Sequence, residues 1–189
     1  PGDTYLHAIQ WMEEDFAYLP IEGITKAAPV RIKVTGHPLP NHWPVAFQSV
    51  GGMRELNAAN DPPKGKDFKR VKVVDANHIE LRNLNALGFR DYTGGGVLVF
   101  RPKVDLTGCS ARMTIRDKVG GTELLSLTTA NLRLKLDIAE GYIGIVLTAE
   151  DTAGLHWKKG VYDLELTGAD GKVTTVAAGA VTVGNDITT

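Results

Sequence analysis

The chain has 189 residues, of which 43% are hydrophobic, 23% charged and 7% aromatic, with 21 Gly, 9 Pro and a formal net charge of −1. This composition is typical of a globular protein and excludes a disordered or collagen-like chain. No run of apolar residues is long enough to cross a bilayer, so no membrane partner is expected. A single cysteine, Cys109, excludes an internal disulfide framework and a cysteine-based zinc cluster.

Charge is unevenly distributed along the chain. The net charge is −5 over residues 1–22, +6 over residues 23–101 and −2 over residues 102–189. Either the acidic start faces a basic surface, of this chain or of a neighbour, or these charges are simply solvated. The basic charges of the middle segment are spread out without interleaved stacking residues, so nucleic-acid binding is not expected. The start, Pro1-Gly2-Asp3, has no secretory signal pattern, and we expect a protein made in a cytoplasm.

Residues 3–19 are predicted to form an amphipathic helix, and residues 1–22 are treated as an N-terminal helical segment. Apolar side chains spaced by four and three residues would share one face: Tyr5, Ile9, Met12, Phe16 and Leu19. Asp3 would cap the helix and Pro20 would end it. Because Trp11 and Tyr18 lie off this face, the helix has surplus apolar surface, which we expect to bury on its own chain or on a neighbouring subunit.

Five residues of this predicted helix are the candidates for docking on a partner. They are Leu6, Ile9, Trp11, Met12 and Phe16. The segment Asn60-Asp61-Pro62-Pro63-Lys64-Gly65-Lys66 reads as an exposed loop, and its Asp61–Lys66 part is a second candidate contact.

Residues 23–101 are predicted to be a β-rich module. Alternating or apolar runs indicate strands at Val30–Val34, Trp43–Phe47, Val71–Val74, His78–Leu81 and Val97–Phe100. The third and fourth runs flank the turn Asp75-Ala76-Asn77 and should form a hairpin. Gly94-Gly95-Gly96 lacks the pattern of a phosphate-binding loop and is interpreted as a tight turn with unusual backbone angles.

Residues 102–189 are predicted to form a second β-rich module, with the boundary near Arg101-Pro102. Strands are expected at residues 111–116, 124–127, 132–137, 142–148, 161–167 and 173–183. Gly120-Gly121 and Gly168-Ala169-Asp170-Gly171 should be hairpin turns. A short helical turn is expected near Glu150 to Leu155.

The sequence predicts no catalytic, cofactor-binding or metal site. His37 and His42 lie five residues apart in a proline-rich loop without a third ligand nearby, which favours a rigid surface turn over a metal site. Cys109 has no base or orienting group at a recognisable spacing, which favours a small buried apolar role. Adjacent acids such as Glu13-Glu14-Asp15 and Glu150-Asp151 are interpreted as helix-surface charges, unsuited to a two-carboxylate glycosidase. We therefore expect no enzymatic activity.

The middle segment resembles a module of tailed-bacteriophage structural proteins that is itself similar to the first catalytic-cysteine half-domain of ubiquitin-activating enzymes. The residues that carry this resemblance are Gly23–Thr25, Pro29–His37, Val50–Asn57, Val71–Val74, Ile79–Leu81 and Tyr92–Gly96. The resemblance implies a small β-barrel over residues 23–101. It does not imply ubiquitin chemistry, since the adenylation and cysteine domains are absent.

The last segment resembles the immunoglobulin-like module of phage upper-baseplate and related tail proteins. The residues that carry this resemblance are Ala111–Asp117, Thr148–Leu155, Gly160–Leu166 and Gly179–Val183. The resemblance implies an immunoglobulin-like β-sandwich over residues 102–189. Tyr162, Leu164 and Leu166 alternate with Asp163 and Glu165, as expected of a strand with one buried face.

Together these observations predict a mainly β protein of a tailed-phage virion. Its expected role is assembly into the tail or the head–tail connector through contacts with portal, adaptor, tail or fibre proteins, as a homo-oligomer in a symmetric assembly. The alternative is a carbohydrate- or receptor-binding module in which Trp43 and Trp157 stack on host glycans, or instead fill small cores. A cell-wall hydrolase is the third possibility.

Overall fold

The computed structural model describes residues 2–184 and is mainly β. Residue 1 and residues 185–189, which end the predicted segments 1–22 and 102–189, lie outside the described residues. The strands in chain order are β1 (Tyr5–Gln10), β2 (Ala17–Pro20), β3 (Gly23–Ile24), β4 (Val30–Lys33), β5 (Pro44–Gln48), β6 (Lys69–Arg70), β7 (Lys72–Asp75), β8 (His78–Leu81), β9 (Val97–Phe100), β10 (Ser110–Arg116), β11 (Glu123–Thr128), β12 (Leu134–Asp137), β13 (Tyr142–Leu147), β14 (Lys159–Thr167) and β15 (Val173–Thr182). One α-helix, α1 (Ala149–Ala153), precedes β14, and 3₁₀ turns cover Arg54–Leu56 and Gly65–Asp67.

The chain divides into two compact units. Met12–Lys103 forms one, here called the central unit, and Pro1–Trp11 with Val104–Thr189 forms the other, here called the terminal unit. The sequence placed its boundaries at residues 22/23 and 101/102, whereas the structure divides the chain at 11/12 and 103/104.

The predicted N-terminal helix over residues 3–19 is wrong. The segment holds β1 and β2 instead, joined by a turn that contains the exposed acids Glu13, Glu14 and Asp15. A helix of this length is marginal in isolation, whereas β1 pairs along its whole length with β13 and β2 pairs with β9. Asp3 consequently caps no helix, and the three acids are not charges on a helix surface.

Two four-stranded sheets build the central unit. Their strand orders are β2-β9-β5-β6 and β3-β4-β8-β7, and every pairing within them is antiparallel. Alternation along β4 buries Val30 and Ile32 and exposes Arg31 and Lys33, as the sequence predicted. Both sheets contribute side chains to one core, whose largest fully buried members include Trp43, Phe47, Ile32, Met53, Ile79 and Leu98.

A three-stranded and a four-stranded antiparallel sheet build the terminal unit. The strand orders are β1-β13-β12 and β11-β10-β14-β15. The two sheets share one core, in which Leu134, Ile143 and Ile145 meet side chains from the other sheet, among them Met113, Leu127 and Leu164. The two predicted hairpins are confirmed, since β10 pairs with β11 and β14 pairs with β15.

The strand predictions over residues 30–100 and 111–183 are confirmed to within a few residues at each end. The β7–β8 hairpin and the short helix near Glu150 are also present. Gly94, Gly95 and Gly96 have φ angles of 114°, 70° and 94°, which confirms the expected unusual backbone of this turn. Among residues 2–184, the structure contains no helix that is long and apolar enough to cross a membrane.

Candidate interaction surface

β1 forms an open edge of the three-stranded sheet in the terminal unit. Its register with β13 runs from Tyr5 opposite Leu147 to Gln10 opposite Tyr142. The first four residues of the strand are exposed, with 48% of Tyr5 and 70% of Leu6 accessible to solvent. Two large apolar side chains are therefore exposed on a strand whose far side has no neighbouring strand among residues 2–184.

The backbone of β1 directs alternate residues towards that open side. Trp11 N–H donates to Gly141 O at 3.2 Å in the same register as the β1–β13 pairing, so the odd-numbered residues form the hydrogen-bonded pairs with β13. The N–H and C=O groups of Leu6 and Ala8 consequently point away from β13. Within residues 2–184, no hydrogen bond to these groups of Leu6 and Ala8 is present.

This edge also lacks the usual protection against pairing with another strand. The segment from Thr4 to Met12 contains no Lys, Arg, Asp, Glu or Pro. Edge strands are commonly protected by such residues because a charge or a missing N–H opposes the addition of a further strand. An extended peptide can therefore add to β1 through backbone hydrogen bonds.

Contacts at both ends hold β1 in place. At the start, the Thr152 hydroxyl donates to Asp3 O at 2.7 Å and accepts Gly2 N–H at 3.0 Å. At the end, Gln10 Nε2 donates to the Tyr142 hydroxyl at 3.0 Å. The strand is thus presented in a fixed extended conformation, which reduces the entropic cost of binding.

The five predicted docking residues do not share one face, because the helix on which they were placed does not exist. Ile9 and Trp11 pack against the core of the terminal unit, and Met12 packs against the core of the central unit. Phe16 stacks on Phe68 at a centroid distance of 6.0 Å beneath the guanidinium of Arg101. Of the five, only Leu6 is exposed; the docking role itself stays a prediction.

The Asp61–Lys66 loop is held from one side by a single carboxylate. Asp67 accepts the backbone N–H groups of Ala59 at 2.9 Å and Lys64 at 3.0 Å, and the side-chain amide of Asn60 at 2.8 Å. These donors, with Lys64 N–H the strongest, lower the pKa of Asp67 to about 2. The loop is exposed apart from Pro63, and the hydrogen bonds to Asp67 restrain its backbone at the surface.

The two tryptophans considered for glycan stacking have different environments. Trp43 is fully buried, and its Nε1 donates to Arg101 O at 2.8 Å, so it is a core residue that cannot reach a glycan. Trp157 is half-buried and lines two grooves of the terminal unit, with volumes of about 310 Å³ and 590 Å³.

Polar groups surround Trp157 in the larger groove. Glu150, His156 and the ion pair of Arg133 with Asp151 line it. The hydrogen bond from Arg133, reinforced by the backbone N–H of Thr148, lowers the pKa of Asp151. An aromatic face beside fixed hydrogen-bonding groups is an arrangement suited to a polar ring such as a sugar.

His37 and Cys109, two of the candidate residues, lie in different environments. His37 is not at the surface as expected: it is 7% exposed, and neither ring nitrogen has a hydrogen-bond partner in the described part of the chain. Cys109 is half-buried against the core, with Sγ 3.7 Å from Asp105 O. Within residues 2–184, no three His, Cys, Asp or Glu side chains are grouped in a way that could hold a metal ion.

Sequence reasoning missed the features that make β1 a candidate surface. Ile9 and Trp11 lie two residues apart and pack on one core, and Ala17 and Leu19 do the same on the other core. This spacing of two is a strand signal, which the helical spacing of other residues obscured.

Compared with known proteins, the chain matches no family model and no curated protein.

Proposed function

We propose that this chain is a structural protein of a tailed-bacteriophage virion that acts in the tail or head–tail connector through protein–protein contacts. The observation that carries the proposal is the open, uncharged edge of β1 with Leu6 exposed. Such an edge is hazardous for an isolated protein but useful in an assembly, where a neighbour covers it. Portal, adaptor, tail and fibre proteins are the classes of partner in such a particle.

The two sheet pairs support a finer assignment of the modules. We assign a small β-barrel to the central unit, because its two four-stranded sheets enclose one core. We assign an immunoglobulin-like sandwich to the terminal unit, because a three-stranded and a four-stranded antiparallel sheet share one core. In this assignment β1 completes the sandwich, although it lies more than 90 residues before the rest of that unit.

The motif residues behind the phage resemblance have structural roles. Gly51 forms an isolated bridge with Gly94, so two separate motif segments meet in the central unit. Asn57 Oδ1 accepts Val50 N–H at 2.8 Å and its Nδ2 donates to Val50 O at 3.2 Å, which closes the Val50–Asn57 segment. Met53 and Leu56 of this segment are buried in the core. These contacts stabilise the Val50–Asn57 segment, and they support a role for the motif in the fold rather than in catalysis.

Detection of the chain in particles tests this proposal directly. Antibody against the purified chain should label virions purified by density gradient from the producing phage, and cryo-electron microscopy should locate density for both units in the tail or connector. A chain found only in the soluble lysate, at particle-free density, would contradict the proposal.

A second function, binding of a host surface glycan, is favoured by Trp157 alone. The half-buried indole lies beside Glu150, His156 and the Arg133–Asp151 pair in the same groove. Intrinsic fluorescence should change on titration with host polysaccharide, and Trp157→Ala should abolish the change. Trp157→Phe, which keeps an aromatic face, should retain weaker binding, whereas an unchanged signal across a glycan array would contradict this function.

A further inference from the structure

Among the sheet edges in the described chain, β1 differs from most of the others. The edge strands β6, β7, β11 and β12 each contain charged residues, and β2 ends with Pro20. β15 is also uncharged, but the register between β14 and β15 shifts at Leu164/Glu165, and such a bulge twists an edge away from flat pairing. β3 covers only two residues. β1 pairs with β13 along its whole length without any register shift, so all six of its residues form a regular edge without lysine, arginine, acidic residue or proline.

The direction of its backbone groups limits how a further strand can add to β1. Only the even-numbered residues of β1 present N–H and C=O groups at the open side, as the Trp11–Gly141 hydrogen bond establishes. A second β1 strand can therefore pair antiparallel only when its even-numbered residues face those of the first. The register centred on His7 meets this condition and places Leu6 of each copy opposite Ala8 of the other.

The side chains fit this register. Leu6 is large and 70% exposed, and Ala8 opposite it is small, so each leucine meets a residue that leaves it space. Thr4 to Met12 contains no acidic or basic residue other than His7, so the pairing brings no lysine, arginine or carboxylate together. The two Leu6–Ala8 pairs would exchange four backbone hydrogen bonds, two for each pair.

We propose that two copies of this chain associate through β1, antiparallel about a two-fold axis at His7. The proposal rests on the proposed function and names a second copy as the partner of the β1 edge. A second copy is the occupant that covers the edge, because each chain supplies the same strand edge without lysine, arginine or acidic residues, and both open edges disappear in one closed contact.

Sedimentation velocity of the full chain over a range of concentrations tests the association. The wild type should form a dimer, and Leu6→Lys should weaken dimerisation at least tenfold, because it introduces a charge beside the strand pair. Ala8→Pro should do the same, since it removes an outward N–H that the β13 pairing does not use. The control Val119→Lys, at a turn residue that is 90% exposed, should leave dimerisation unchanged.

Cysteine crosslinking tests the register. In a Cys109→Ser background, His7→Cys should give a disulfide-linked dimer under mild oxidation, because directly opposed residues of a pair without mutual hydrogen bonds have Cα atoms about 4.5 Å apart, within the range for a disulfide. Ala8→Cys should crosslink much more slowly, because in this register the two substituted positions are offset by two residues.

A wild type that stays monomeric at the highest concentration, or a dimer insensitive to Leu6→Lys and Ala8→Pro, would overturn the proposal. Faster crosslinking of Ala8→Cys than of His7→Cys would overturn the register. Neither result bears on the presence of the chain in virions, so failure of this proposal is distinguishable from failure of the proposed function.

Discussion

The hydroxyl of Thr152 donates to the backbone carbonyl of Asp3 at 2.7 Å, and so ties α1 to the residue that leads into β1. Thr152 is 8% exposed, although Asp3 itself lies at the surface. The same hydroxyl accepts Gly2 N–H at 3.0 Å. Two segments separated by 149 residues along the chain are therefore joined by one side-chain oxygen.

Removing this hydroxyl should loosen β1. Thr152→Val keeps the shape of the side chain but leaves Asp3 O and Gly2 N–H without their partner, and we expect it to lower the free energy of unfolding by about 1–2 kcal/mol. Amide hydrogen exchange should become faster in β1 more than in β10 or β14. Thr152→Ser retains the oxygen and should largely preserve both properties. A loss in Thr152→Ser with none in Thr152→Val would show that packing of the methyl group, not the hydrogen bonds, holds β1.

The sequence contained enough information to predict most strands but not the start of the chain. Val30 to Lys33 alternates between buried and exposed residues, and the buried Ile143, Ile145 and Leu147 alternate with half-buried residues, so a period of two could be recognised from the local sequence. These patterns depend only on which face of a sheet is buried, so the strands could be predicted without knowing their partner strands.

The start of the chain was misread because two patterns coincided. Tyr5 and Ile9 are four apart, which suits a helix face, but they also lie on the same face of a strand. The strand conformation is favoured by pairing with β13, which lies more than 130 residues later in the chain. The local sequence does not identify the partner strand, and it does not show that residues 1–22 are divided between two units.

The candidate surface was only partly predictable for the same reason. Leu6 was identified as an apolar residue that could contact a partner, and it is exposed in the structure. Whether its backbone has free hydrogen-bonding groups depends on strand order, which only the structure supplies. The burial of Trp43 and the half-exposure of Trp157 likewise follow from their positions in the fold and not from the residue type.

Replacing His37 should stabilise the protein. The side chain is buried, and both of its nitrogen atoms lack partners within the described residues, so each retains an uncompensated cost of leaving water. His37→Leu removes both nitrogen atoms and should raise the free energy of unfolding by about 1 kcal/mol in urea titrations. The exposed residue His156 provides the control, since His156→Leu should leave stability unchanged. A clear loss of stability in His37→Leu would mean that the ring has a partner or a shape requirement.

Low pH should destabilise the Asp61–Lys66 loop, because protonation of Asp67 weakens the hydrogen bonds that hold it. Its folded-state pKa is about 2, below the ordinary value of 3.8, so the carboxylate contributes stability that is present above pH 3.8 and is lost as the pH falls towards 2. Asp67→Asn should lack this contribution at neutral pH and should show a smaller decrease in thermal stability between pH 4 and pH 2. Asp15→Asn, which changes an exposed acid in the turn between β1 and β2, should keep the wild-type pH profile. Identical profiles for Asp67→Asn and the wild type would contradict the assignment.

Gly52 should tolerate no side chain, unlike a glycine of the same backbone conformation elsewhere in the central unit. Its φ is 71°, and a Cβ at this position would overlap the carbonyl oxygen of Asp91 and also meet the side chain of Thr93. Gly36 has a φ of 70° with nothing within 4 Å of its Cβ position, so Gly36→Ala measures the backbone strain alone, about 1 kcal/mol. Gly52→Ala adds the steric overlap with the backbone and should cost at least about 2 kcal/mol more, measured as the difference in urea midpoint at constant slope. Equal costs for the two substitutions would show that the Asp91 segment moves freely, and would contradict a fixed architecture for the Val50–Asn57 segment.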